Sequence, residues 1–270
     1  MTLFDNSFIL PSRIFSIKPK MYDLTNFTLD DMYKCAIALR NMDSGCKSME
    51  ELANRMIHYL YEHLLDGQTG KRACSLVRFF KIHPYGELNE ELQKSAFRIA
   101  KSSFIKPSTK CLTLLATAGD EPNWNSRHTS TGHKAIPLLD RDFVNQVPMI
   151  SQLIQQFGLD IDAVLEPTPE LLADLESHTF SVFYVPNALD SAYIPAKKDF
   201  VIPYQIKSVL GFGGMLPSGN LFAIILFAKT WIPHNTAQDS FKWISSFARI
   251  PVASFDDRTI FEDRARLFSK

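Results

Sequence analysis

The stretch richest in chemistry is residues 119–138, GDEPNWNSRHTSTGHKAIPL. It gathers Trp124, Arg127, His128, Thr129, Ser130, Thr131, His133 and Lys134. Arginine presents a planar fork of N–H donors, lysine adds a point charge, and the hydroxyls add neutral donors. That set suits a carboxylate or another anion. The same residues could equally form a solvated loop whose polar groups satisfy its own backbone. His128 and His133 stand five apart, with His83 elsewhere. No H-E-x-x-H pattern and no carboxylate at ligand spacing accompanies them, so no metal is expected. Nothing beyond the imidazole would support haem at His83 or His178.

Two further groups of residues invite a chemical reading. Cys35, Cys46, Cys74 and Cys111 are widely spaced and form no C-x-x-C pair, which excludes a zinc ribbon, a redox pair and a disulfide scaffold. Cys74 and Cys111 fall in predicted strands, where cysteine acts as a small apolar residue. A cysteine nucleophile beside Asp120 and a histidine is therefore not expected, nor is a covalently held tetrapyrrole. Gly211-Phe212-Gly213-Gly214 lacks phosphate-loop spacing and continues into a strand rather than a helix. Glycines in a strand mark a bulge or a close approach of backbone. A ligand lying over that strand, flanked by Phe200, Tyr204 and Ser208, is the functional version of the same feature.

Several elements must position these residues. Thr28 with Asp31 and Ser48 with Glu51 have capping-box spacing, so helices are expected to start there. Leu52, Met56, Tyr59, Leu60 and Leu64 form a helical stripe. Residues 73–82 and 111–118 read as strands, with a polar helix over 87–102 between them. The spacing of Phe143, Val147, Ile150, Ile154 and Phe157 predicts a helix within 140–157, its regular part opened by Pro148 in the first turn and stopped by Gly158. Thr168-Pro169 opens a short helix, and residues 179–185 read as a strand. Residues 206–231 form a hairpin turning at Pro217-Ser218-Gly219-Asn220. Asn235 is expected to cap a last helix that Pro251 ends. Strands and helices interleave irregularly, which favours a mixed α+β domain over a doubly wound parallel sheet.

Composition bounds the rest. The chain has 270 residues, 46% of them hydrophobic, with 29 basic and 29 acidic side chains. That supports a sizeable core and offers no bulk charge for nucleic acid or an anionic membrane. Phe79, Phe80, Phe180, Phe183, Tyr184 and Phe222 lack the basic stripe an RNA-stacking sheet needs. No secretory signal or transmembrane span is read, so the expected setting is cytoplasmic with free thiols.

The order of elements resembles a GAF domain. The match runs through SMEELANRMIHYLYEHLL, ACSLVRFF, CLTLLATAGDE, the loop reaching Ile136-Pro137-Leu138, FSVFYVPNALDSAYIPA and SVLGFGGMLPSGNLFAIILFAK. HPYGEL, GHKAIPL, DFVIPY and SVLGFGG look more narrowly like a GAF-like input region upstream of bacterial histidine kinases and cyclases. The resemblance implies a GAF/PAS-like central antiparallel sheet, with helices on one face and ligand-pocket loops on the other. Residues 1–47 would be an N-terminal arm and helix, 48–250 the sensor domain, and 251–270 a tail.

The expectation that follows is a bacterial signalling domain and not an enzyme. It would hold an unknown small molecule between the sheet and loops 119–138 and 186–204. The candidate ligand-binding residues are Trp124, Arg127, His128, Thr129, His133, Lys134, Tyr204 and Ser208. Arg127→Ala and His133→Ala would lower affinity with little effect on melting. The signal would pass through the entry and exit helices to a kinase or cyclase output domain, in cis or in trans. The apolar stripes of those helices could also form a homodimer contact. The alternatives are a ligand-free interaction module or a small hydrolase or reductase.

Overall fold

In the computed structural model, residues 20–101, 104–174, 181–194, 196–256 and 260–261 are described. The expected arm before residue 20, His178, the start of the 179–185 strand and most of the tail lie outside them. In chain order the elements are β1 (Tyr22–Asp23), α1 (Leu29–Arg40), α2 (Met49–His63), β2 (Leu64–Leu65), β3 (Cys74–Pro84), α3 (Glu90–Ile99), β4 (Lys110–Gly119) and β5 (Ala135–Pro137). Next come α4 (Arg141–Asn145), α5 (Pro148–Gln156), α6 (Ile161–Leu165), α7 (Pro169–Asp174), β6 (Phe183–Val185), β7 (Ser208–Met215), β8 (Leu221–Ala228) and α8 (Lys242–Ala253).

The local chemistry explains the helix starts. Thr28 accepts from the Asp31 amide, and the Asp31 carboxylate accepts from the Thr28 amide at 3.0 Å, so the capping box of α1 is complete. Ser48 accepts from the Glu51 amide, but the Glu51 carboxylate takes the Lys47 amide at 2.9 Å. The helix expected within 140–157 is two helices, α4 and α5. Pro148 has no N–H to give to α4, and it sits instead in the first turn of α5, where none is needed. Gly158 stops α5 at φ 80°. At the C-terminal end Asn235 makes no side-chain cap, and Pro251 lies inside α8 rather than after it.

Six strands form one antiparallel sheet in the order β5-β4-β3-β8-β7-β6. β3 is therefore central. A bulge at Leu115 of β4, where Phe79 faces Ala116 and Phe80 faces Leu114, keeps the alternation in step on both sides. One face, with Val77, Phe79, Phe222 and Ile224, packs under α1, α2, α3 and α8. Leu52, Met56 and Leu60 of α2 and Ile244 and Ala248 of α8 lie in that core, so both apolar stripes dock within the chain. The second face carries Leu76, Phe80, Ile82, Leu112, Leu114 and Ile225. Loops alone were expected over it, but Val144, Ile150, Leu153, Ile154 and Ile161 of α4–α6 also cover it. The chain is thus an α+β protein with a six-stranded antiparallel sheet between two layers. Among the described residues no helix is long and apolar enough to cross a membrane.

The glycines of β7 have packing reasons. A Cβ on Gly211 would sit 3.2 Å from the Phe183 Cβ, and one on Gly213 would run into the backbone of Phe222 and Ala223. Close approach of the chain itself accounts for both, and no ligand over that strand is needed.

Candidate functional site

The second face of the sheet holds a cation in its middle. In β3 the side chains alternate, so Leu76, Arg78 and Phe80 point to this face while Val77 and Phe79 point to the helices. Arg78 stands opposite Thr117 on β4 and Ile225 on β8. One terminal nitrogen of Arg78 donates to Ser130 Oγ at 2.9 Å. Its Nε and the Thr117 hydroxyl are both out of contact with solvent, and neither has a hydrogen-bond partner among the described residues. Burial pushes the guanidinium down to about 10. A buried cation with no carboxylate is costly, and most structural arginines avoid that state by pairing.

Loop 119–134 roofs this spot. Gly132 and His133 take left-handed backbone, with φ 83° and 41°. Such conformations are unusual for histidine and cluster where the surroundings force them. Partial burial, then the charge of Arg78, hold the His133 pKa below its ordinary value. Next to it the two loops named from the sequence meet. Trp124 packs against Tyr204 at 4.5 Å and Phe200 at 5.7 Å between ring centroids, and Phe200 meets Phe227 edge-on at 5.0 Å. Phe227 pairs with Leu76, two residues along from the Arg78–Ile225 pair. Trp124 closes down on Gly119, where any Cβ would come within 2.7 Å of the indole.

A polar node pins the roof. Asp120 accepts from Tyr61 of α2 at 2.7 Å and Lys229 at 2.8 Å. Ser75 Oγ, with a single proton, lies 3.0 Å from Asp120 Oδ2 and 3.1 Å from the Tyr204 carbonyl. Burial alone would raise the Asp120 pKa, but Lys229, Tyr61 and Ser75 outweigh it and hold it below the usual carboxylate range.

The residues singled out from the sequence divide between the two faces. Arg127 is buried in an ion pair with Glu50 of α2 and lies 5.2 Å from the Phe261 ring. Lys134 bonds Glu91 of α3 at 2.5 Å and the His128 carbonyl at 2.7 Å, and exposed His128 stands 3.6 Å from Glu91. The exposed Thr129 donates to the Asn123 carbonyl at 3.0 Å. Ser208 donates to the Pro186 carbonyl and accepts from the Ile232 amide, closing the base of the hairpin. Trp124 and Tyr204 meet on the second face, and the exposed His133 lies near enough to Arg78 to feel its charge. Arg127, His128 and Lys134 hold the loop to the helix side. Arg78, Thr117 and Ser130 complete the cluster. The sequence signal for Arg78 is a cation at an inward-facing position between Leu76 and Phe80 of a mostly apolar strand, ACSLVRFFKI.

All four cysteines are free, and all pack on the helix-covered side. Burial pushes Cys35, Cys74 and Cys111 up to about 12 and raises Cys46 as well. No group of three metal-ligating side chains occurs among the described residues.

No family model matches this chain, and no curated protein does. Among solved structures it is similar to the free methionine-R-sulfoxide reductase from Neisseria meningitidis, solved in complex with its substrate. The identity is 8%, the TM-score 0.46, and the match covers 87% of this chain and 95% of that one. The expectation that this chain is not an enzyme is corrected by this match, because the structure it resembles is a reductase. At that identity and TM-score, no reaction is carried over.

Proposed function

We propose that this chain binds a small anionic molecule on the second face of its sheet, with Arg78 as the anchor. The observation that carries the reading is the Arg78 Nε, buried with no acceptor in a strand where the neighbouring Thr117 hydroxyl also has none. An anion there would supply the acceptor and the opposite charge together. Trp124, His133 and Tyr204 form the roof. The GAF-like order of elements supports the same placement, between the sheet and loops 119–138 and 186–204. Two contacts join the roof to α2, Arg127 to Glu50 and Tyr61 to Asp120. Through them a bound ligand would bias the helix layer, as a sensory domain requires.

The test is a thermal-shift screen of small carboxylates, phosphates and sulfonates against the wild type and Arg78→Met. The expected result is a set of anions that raise the wild-type melting temperature and leave the variant unmoved. Shifts of equal size in both proteins, or none in either, overturn the reading.

A further inference from the structure

Lys110 opens β4 and pairs with Pro84, six residues along β3 from Arg78, which puts the two about 20 Å apart along the strand. Alternation with Leu112 and Leu114 turns Lys110 to the second face, toward α6. Its Nζ donates to the Val164 carbonyl of α6 at 2.8 Å and to the Gly219 carbonyl of the β7–β8 turn at 3.2 Å. Both partners are main-chain carbonyls, and among the described residues no carboxylate pairs with it. Lys110 also lines a cleft of about 490 Å³, together with Leu138, Leu139, Leu165 and Glu166. That volume lies in the range of small-molecule sites.

We propose that Lys110 is the reactive amine of a second site, which takes a small aldehyde or ketone as an imine. The proposal does not depend on the anion role given to Arg78. A neutral amine carries two N–H groups and one lone pair. The two carbonyls take the two N–H groups and leave the lone pair unengaged. An ammonium would bring a third N–H, for which no described residue offers an acceptor. The surroundings favour the neutral form as well. Burial, then the like charge of Lys81, push the Lys110 pKa down to about 8, and Glu166 opposes them without cancelling them. The other charges of the cleft are engaged or exposed: Arg141 pairs with Asp160 and Asp162, Asp140 caps α4, and Lys106 faces solvent. A desolvated lysine of this kind is the usual form of an amine that attacks carbonyl carbon.

In the reaction the Nζ lone pair adds to the carbonyl carbon. The C=O bond gives way to C=N, and the oxygen leaves with the two amine protons as one water. Nothing is oxidised or reduced, and no co-reactant is needed. Acylation or alkylation of the same amine would need an activated donor. A carbamate from carbon dioxide would place an anion here and call for a cation held beside it. Arg141 is committed to its two aspartates, however, and Lys81 to Asp256. Leu138, Leu139 and Leu165 give the cleft an apolar wall, which favours a hydrocarbon body over a polyol.

Reductive trapping tests the proposal. The full chain is incubated with propanal, butanone or benzaldehyde and cyanoborohydride, and the rate at each lysine is read by peptide mass spectrometry. At neutral pH, Lys110 is expected to be trapped roughly tenfold or more faster than the exposed lysines, because far more of it is neutral. Its rate relative to theirs should level off above about pH 8. It should also saturate with carbonyl concentration, as binding in a cleft requires, while theirs stays linear. Trapping of Lys110 no faster than of exposed lysines, or a rate linear in the carbonyl compound, overturns the site. A carbamate resonance with carbon-13 bicarbonate, and no carbonyl adduct, overturns the ligand class. Arg78→Met should leave Lys110 trapping unchanged, so failure here and failure of the anion site are told apart.

Discussion

Strand β3 carries two cations three residues apart on opposite faces of one sheet: Lys81 is buried, and Arg78 is partly buried with its Nε sealed from solvent. Lys81 points to the helix-covered face. Its ammonium lies 3.3 Å from Asp256, and both side chains are nearly sealed, at 2% and 4% exposure. The Asp256 carboxylate also accepts from the Ser218 amide at 2.7 Å and its hydroxyl at 2.9 Å. Arg78 points the other way and has a single serine. On the helix side Arg127, too, has its carboxylate in Glu50. Lys81 and Arg127, both nearly sealed, are each paired with an acid from the chain itself, whereas the part-buried Lys110 is held by the Val164 and Gly219 carbonyls. Arg78, with no carboxylate, lies on the face that two long loops cover.

That contrast can be broken by stability measurements. The largest effects belong to the paired side. Lys81→Met would strand Asp256, and urea denaturation is expected to show a loss of about 3–5 kcal/mol. Arg127→Met strands Glu50 in the same way and should cost about 3 kcal/mol. This replaces the sequence-based expectation that substituting Arg127 leaves melting unchanged, since that expectation supposed a side chain facing a ligand. A loss below about 1 kcal/mol in both variants would remove the distinction between the two faces.

Arg78→Met is expected to change stability in the other direction, with a gain of about 1–2 kcal/mol, because it removes a partly buried charge that no carboxylate pairs. A destabilisation of several kcal/mol instead would mean that Arg78 is a structural pair member like the others. Thr117→Val should follow with a smaller gain, about 0.5–1 kcal/mol, by deleting a hydroxyl left without a bond. The smallest effect is electrostatic. With its folded pKa below the unfolded value of about 6.5, His133 binds fewer protons folded than unfolded as pH falls through that value. Stability therefore drops from neutral to mildly acid pH. Arg78→Met should raise the His133 pKa in an NMR titration and flatten that slope. An unchanged titration would separate the two residues electrically.

Much of the fold was readable because its signals are local. Thr28 and Ser48 begin helices, Gly158 ends one, and the 206–231 hairpin turns where its Pro-Ser-Gly-Asn cluster stands. The failures share a cause in backbone context. The 140–157 periodicity is real on one face, and Pro148 opens the regular helix at its first turn as expected, but periodicity cannot report that the residues before it form a separate short helix. At the site the misleading feature was polarity. Arg127, His128 and Lys134 stand out in a polar loop, yet the loop wraps the sheet edge, and Glu50 and Glu91 answer them from helices 77 and 43 residues away. No spacing rule reaches that far. Arg78 was visible as a residue type in the wrong place: the middle of an apolar strand at a position that alternation turns inward.

The central place of β3 also bears on how the chain acquires its structure. Its neighbour β4 follows within the next few tens of residues, but its other neighbour, β8, begins only at Leu221. Antiparallel pairing of β3 with β4 can form early, while the opposite edge of β3 stays unpaired for most of synthesis. Such an edge is a template for wrong pairing, and closing so long an interval makes the final pairing slow. The last hairpin and the Asp256 contact to Lys81 therefore complete the sheet at the end of folding. A nascent chain halted before β8 would present the strand that carries both cations as an open, sticky edge.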